Sequence, residues 1–174
     1  MGDRCRLQVR TLKAHAPLFE EIGLLVEDEH EPNEVVMVDE QANFGLAVDL
    51  ERLAKRGVVF LADASAGEQY GPELTVSDGT GKAIAVAADF ESNIVVRCDD
   101  NGLLVPDDIT LVQRYVVARK RAESIVEGRA PHPRECQTCG GSGDLGLTAD
   151  RVYGTRTCPT CAGSGIHIKP EKEA

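Results

Sequence analysis

Tryptophan is absent from this 174-residue chain, and aromatic residues amount to only 4% of it. A stacking platform for single-stranded nucleic acid needs a row of aromatic faces, so that class is excluded first. Long apolar runs are missing as well. The longest, residues 83–88, is six residues, far short of the roughly 20 that a membrane-spanning helix needs. The N-terminus, MGDRCRLQV, has no apolar signal core, which argues against secretion. Positive charge is scarce too: a net charge of −10 works against binding DNA through its phosphates. Catalytic signatures are also lacking. There is no G-x-S-x-G, no phosphate-binding G-x-x-x-x-G-K-[ST], and no G-x-G-x-x-G after a strand. His15, His30, His132 and His167 fall into no acid–base or metal-ligand spacing. The expectation is a soluble, cytoplasmic protein that is not an enzyme and makes no direct contact with nucleic acid or membrane.

What is present is unevenly distributed. Residues 1–110 hold 22 acidic and 9 basic side chains, whereas residues 111–174 hold 7 acidic and 10 basic. Between residues 14 and 51 there are eleven carboxylates and no Lys or Arg. Such a run reads either as a solvated face that aids solubility or as a surface that docks on a basic partner. Glu27, Asp28, Glu29 and Glu31 are its densest part.

Periodicity divides the chain into a domain over 1–128, a Pro-rich linker over 129–135, a cysteine-rich hairpin over 136–168 and a charged tail over 169–174. Residues 4–10, RCRLQVR, alternate strictly, with Cys5, Leu7 and Val9 on the buried side of a strand. Residues 14–22 read as a short helix stopped by Gly23, followed by an acidic loop over 27–34 and a short apolar strand over 35–38. Asp49 is placed to cap a helix through Lys55 that ends at Gly57. Residues 58–64 are a buried strand by their branched, apolar content. The loop 67–72, with Glu68, Gln69 and Tyr70 among glycines, is a candidate site or an ordinary connection. A hairpin turns at residues 78–81, a second at residues 91–93 into a strand over 94–98, and a tight turn falls at 100–102. One long helix runs over about 107–127, capped by Asp107 or Asp108 and stopped at Gly128. Its apolar stripe is Leu111, Tyr115, Ala118, Ala122 and Ile125, and Arg114, Arg119, Lys120 and Arg121 make the other surfaces basic. The fold expected is α+β, a mainly antiparallel sheet with short helices and one long helix.

The most specific signal is a repeat. Residues 136–143 read CQTCGGSG and residues 158–165 read CPTCAGSG, both C-x-x-C-x-G-x-G. A C-x-x-C turn aims two thiolates at one ion, and two such turns complete a tetrahedron of sulfur. Cys136, Cys139, Cys158 and Cys161 are therefore expected to hold one Zn²⁺. Four thiolates leave no open coordination position, so the zinc is structural. A hairpin this small has little core, and the metal supplies most of its folding free energy. Leu145, Leu147, Val152 and Tyr153 lie on its arms and are the candidate protein-binding residues.

This module resembles the cysteine-rich zinc-binding region of DnaJ (Hsp40) chaperones over residues 134–167. That family carries four such octets and two zincs; this chain has two octets and room for one. No His-Pro-Asp follows a helix, so there is no J domain. The resemblance implies a zinc hairpin and binding of non-native polypeptide. Three readings stand: a chaperone-like or adaptor module that binds protein, supported by the zinc hairpin; a phage- or plasmid-type acidic inhibitor that mimics nucleic acid to block a nucleic-acid-binding defence complex, supported by the carboxylates of residues 14–51; and an enzyme whose site a single sequence does not reveal.

Overall fold

The computed structural model describes residues 4–28, 33–43, 46–67 and 71–129. The cysteine-rich hairpin, with its four cysteines and the arm residues Leu145, Leu147, Val152 and Tyr153, lies outside the described residues. So do Glu29, Glu31, Glu68, Gln69 and Tyr70.

Six strands form one antiparallel sheet: β1 (Arg4–Leu12), β2 (Leu25–Asp28), β3 (Glu34–Asn43), β4 (Val59–Ala64), β5 (Glu73–Asp78) and β6 (Ala83–Ala87), in the order β2-β3-β1-β4-β5-β6. A 3₁₀ turn (Lys13–His15) leads into α1 (Ala16–Glu20), α2 (Ala47–Arg56) joins β3 to β4, and α3 (Pro106–Val126) follows the last strand. The α+β class and the antiparallel sheet are thus as expected. β3 and β4 both run antiparallel to β1, which lies between them. They are therefore parallel to each other, and β3-α2-β4 is a split β-α-β crossover.

Alternation assigns the two faces of the sheet. Cys5, Leu7 and Val9 of β1, Met37 of β3 and Phe60 and Ala62 of β4 pack against Phe19, Leu50, Leu53 and Ala54 of the two shorter helices. Leu74, Val76 and Val86 on the opposite face meet Tyr115, Ala118, Ala122 and Ile125 of α3. The layers are helix, sheet, helix. Buried hydroxyls at the edges of these cores are satisfied: Thr11 donates to the carbonyl of Val59 at 2.6 Å and Ser77 to that of Val58 at 2.6 Å.

All three glycine stops read from the sequence are present. Gly57 and Gly128 end α2 and α3 with φ of 89° and 71°, and Val58 and Arg129 donate back to the carbonyls of Leu53 and Ser124. That is the left-handed helix end that glycine adopts without a Cβ penalty.

Several sequence expectations are corrected. Glu27 and Asp28 lie on β2 rather than in a loop, because residues 25–28 pair with β3. β3 extends through Asn43 instead of stopping at residue 38. Neither longer helix carries a side-chain cap. α2 begins at Ala47, and Asp49 in its first turn pairs with Arg52 at 3.0 Å. α3 begins at Pro106, whose missing N–H suits the first helical position. Residues 94–98 are not a strand: only isolated bridges join Ala88 to Ile94 and Cys98 to Leu104. These bridges close two turns ten residues apart in chain order. Asp89 accepts from the amides of Glu91 and Asn93, and Asp99 from those of Asn101 and Leu103, each at 2.9 Å. Leu111 is exposed at 37%, and it is Val112 beside it that packs against the core ahead of Tyr115.

Asp108 has a different task from the cap expected of it. It accepts from the backbone amide of Arg97 at 3.1 Å and from its guanidinium at 2.9 and 2.7 Å. These bonds tie the 88–105 excursion to the start of α3. The Arg97 guanidinium holds the Asp108 carboxyl down at about 2, below its ordinary 3.8. Because the folded value is depressed, this contribution is complete above pH 3.8 and is lost as pH falls through about 2. A carboxyl-carbon NMR titration of Asp108 is expected to have its midpoint near 2. In Asp108→Asn, amide exchange at Arg97 is expected to accelerate while the sheet amides keep their protection.

Candidate functional site

α3 packs on β4, β5 and β6 and touches the end of β1 on its face of the sheet, and the β2-β3 side of that face lies beyond it. The step between helix and open sheet is a groove of about 580 Å³, within the range of ordinary ligand sites. Its floor is Val36, Leu61 and Leu74; one wall is Gln8, Arg10 and Glu34, and the other is Tyr115, Arg119 and Glu127 of α3 and its C-terminal end. Asp63 and Ser92 close one end.

Alternation along β1 is what aims Arg6, Gln8 and Arg10 at this open half-face. Their partners come from the acidic run. Arg6 pairs with Glu27 at 2.7 Å and Glu40 at 3.1 Å, and Gln8 donates to Glu27 at 3.1 Å. Arg10 pairs with Glu34 at 2.7 Å and reaches Glu127 at 3.9 Å. Glu34 is only 3% exposed, and Arg10 is the cation that holds its carboxylate. Hydrogen bonding to Glu34 in turn raises the Arg10 pKa. Across the groove Arg119 is matched by Glu123 at 2.8 Å. Burial pushes the Tyr115 phenol up, with Arg119 beside it acting in the opposite direction. Among the described residues Asp63 pairs with no cation, and its hydrogen-bond partner is the Ser92 hydroxyl, at 2.7 Å.

These contacts change the picture of the 14–51 stretch. No Lys or Arg lies within it, yet Glu27, Glu34 and Glu40 are matched across the sheet by β1. Asp49 and Glu51 are matched within α2 by Arg52 and Lys55. The basic surface of α3 is partly matched too, since Arg121 lies 3.6 Å from Asp78. Of the four densest acidic residues, Glu27 faces the open half-sheet and Asp28 lies beside it on β2.

Cys5 is buried, as its place in β1 implied, with its thiol 3.7 Å from the carbonyl of Ala42. Cys98 is exposed. No group of three or more His, Cys, Asp or Glu among the described residues is arranged to hold a metal. None of the described helices is long and apolar enough to cross a membrane. Of the loop 67–72, the described part includes Pro72, whose carbonyl accepts from Ala88 at 2.9 Å.

The groove was not visible as a site in the sequence, because its residues lie on five elements and a turn. One local sign existed: Asp63 is a carboxylate inside the otherwise apolar strand VFLADA. Compared with known proteins, the chain matches no family model, no curated protein and no solved structure.

Proposed function

We propose that this chain is a non-enzymatic, zinc-containing protein-binding module, chaperone-like or adaptor in character. It joins a structural four-cysteine zinc hairpin to an acidic α+β domain. The observation that carries this reading is the pair of C-x-x-C-x-G-x-G octets beginning at Cys136 and Cys158. Cys136, Cys139, Cys158 and Cys161 fit Zn²⁺ by their chemistry: two C-x-x-C turns offer four thiolates to a borderline-soft ion that prefers a tetrahedron. The zinc serves to fold the hairpin, and Leu145, Leu147, Val152 and Tyr153 supply apolar contact for polypeptide. The acidic N-terminal surface, with 22 acidic against 9 basic side chains over residues 1–110, complements a basic protein. The phosphate-mimic alternative draws less support, because so many carboxylates of the 14–51 run are already matched by arginine or lysine.

Elemental analysis of the full-length protein is expected to find one zinc per chain, and none in Cys139→Ser. A content of zero or two in the parent chain overturns the metal assignment. The binding role is read by light scattering, as the protein suppresses aggregation of a guanidinium-unfolded enzyme diluted into buffer. The Leu147→Ser, Tyr153→Ser double variant is expected to lose that suppression at nearly unchanged Tm. A falling Tm with suppression intact makes the hairpin a structural clip and refutes the recognition role.

A further inference from the structure

We propose that the groove between α3 and the open half-sheet binds one cationic side chain, an arginine or lysine of a basic polypeptide partner, seated on Asp63. This names the chemistry of the protein partner in the function proposed above and rests on that reading.

The charges of the groove leave one position unfilled. Arg10 is taken by Glu34, Arg119 by Glu123, and Glu127 by Arg129 together with a longer contact to Arg10. Asp63 is the carboxylate left over. Its only hydrogen-bond partner among the described residues is the Ser92 hydroxyl, a neutral donor. A second carboxylate from a ligand is disfavoured here, because both arginines lining the groove are already engaged. A cation is favoured: it pairs with Asp63 and brings the local charge to balance.

The shape fits the same ligand. Leu61 and Leu74 flank Asp63 on the floor and the ring of Tyr115 stands beside them. Long basic side chains lay their methylene stems along such apolar surface while the charged end reaches a carboxylate. The groove opens onto β1 and β3, so the rest of a peptide can lie across the polar half-face that carries Gln8, Glu27 and Glu40.

The probe is an acetylated, amidated tetra-arginine peptide carrying a fluorophore, titrated into the full-length protein at low salt, with tetra-glutamate as the control. Saturable binding of tetra-arginine and none of tetra-glutamate is expected. Asp63→Asn keeps the bond to Ser92 and is expected to weaken binding at least ten-fold with Tm unchanged. Glu51→Gln, on α2 across the sheet from the groove, is expected to change it less than two-fold. Absence of saturable binding overturns the proposal, as does an Asp63→Asn variant that binds like the parent or a Glu51→Gln variant that loses as much. Cys139→Ser separates the two readings. Binding that survives in it but not in Asp63→Asn places the site in the groove whatever the fate of the zinc hairpin. Binding lost in Cys139→Ser but retained in Asp63→Asn places it on the hairpin and overturns the groove.

Discussion

Replacing Phe60 by alanine is expected to cost about 3–5 kcal/mol of folding stability, the usual range for emptying a buried phenylalanine site. Phe60 is fully buried in β4 and meets Phe19 of α1 edge to face, with centroids 5.8 Å apart and planes at 84°. That orientation sets the positive edge of one ring against the negative face of the other and adds to the area buried. The chain has only four phenylalanines, and this contact uses two of them to join the first helix to the sheet. The cavity is slow to collapse because β4 is held on both sides, by β1 and β5. Guanidinium unfolding of the variant, with Phe90→Ala as control, checks this. Phe90 is 88% exposed and its loss is expected to stay within about 0.5 kcal/mol. A Phe60→Ala cost below about 1 kcal/mol would mean that this core repacks freely.

The second large effect is expected at Arg10. Arg10→Ala leaves the Glu34 carboxylate 3% exposed without the guanidinium that holds it at 2.7 Å. Removing one partner of a fully buried pair costs about 3–5 kcal/mol. Arg10 is itself 38% exposed, so water screens part of the loss and about 2–3 kcal/mol is expected. The sign of the double variant is informative. Arg10→Ala with Glu34→Gln removes the stranded charge and is expected to recover more than half of the deficit. Equal stability of the single and double variants would show that Glu34 is solvated despite its position.

The parts of this fold that were legible in the sequence are those written locally. The alternation of residues 4–10 is a property of neighbours, and it identified β1 and both of its faces. The turn at Asp78 and the glycine stops are likewise one-turn chemistry: Asp78 accepts from the amide and hydroxyl of Thr80. What depends on partners distant in the chain was hidden. β2 is four residues, LVED, with no alternation to mark it. β3 loses its apolar character after Val38, because its far end borders the half-face that no described helix covers. Residues 94–98 have strand composition but find no ladder to join. The pairing of the acidic run with Arg6 and Arg10 joins residues 21 to 34 positions apart, and no reading of charge along the chain could show it. The groove lies further still beyond a linear reading. Asp63, Ser92 and Tyr115 converge there only once α3 has crossed the sheet.

The place of β1 in the strand order bears on how the chain is made. β1 precedes its partners in the sequence, yet both of its edges are interior to the sheet. One edge waits for residues 34–43 and the other for residues 59–64. At a synthesis rate of roughly 5–20 residues per second the second wait lasts seconds. During that time an apolar strand with an open backbone edge is vulnerable to pairing with another nascent chain. Arg4, Arg6 and Arg10, the last two of which later carry ion pairs of the open half-face, put three like charges along one side of that strand. Repulsion between copies is a recognised guard for such an edge. The same arginines thus protect the strand on the ribosome and organise the surface beside the groove after folding.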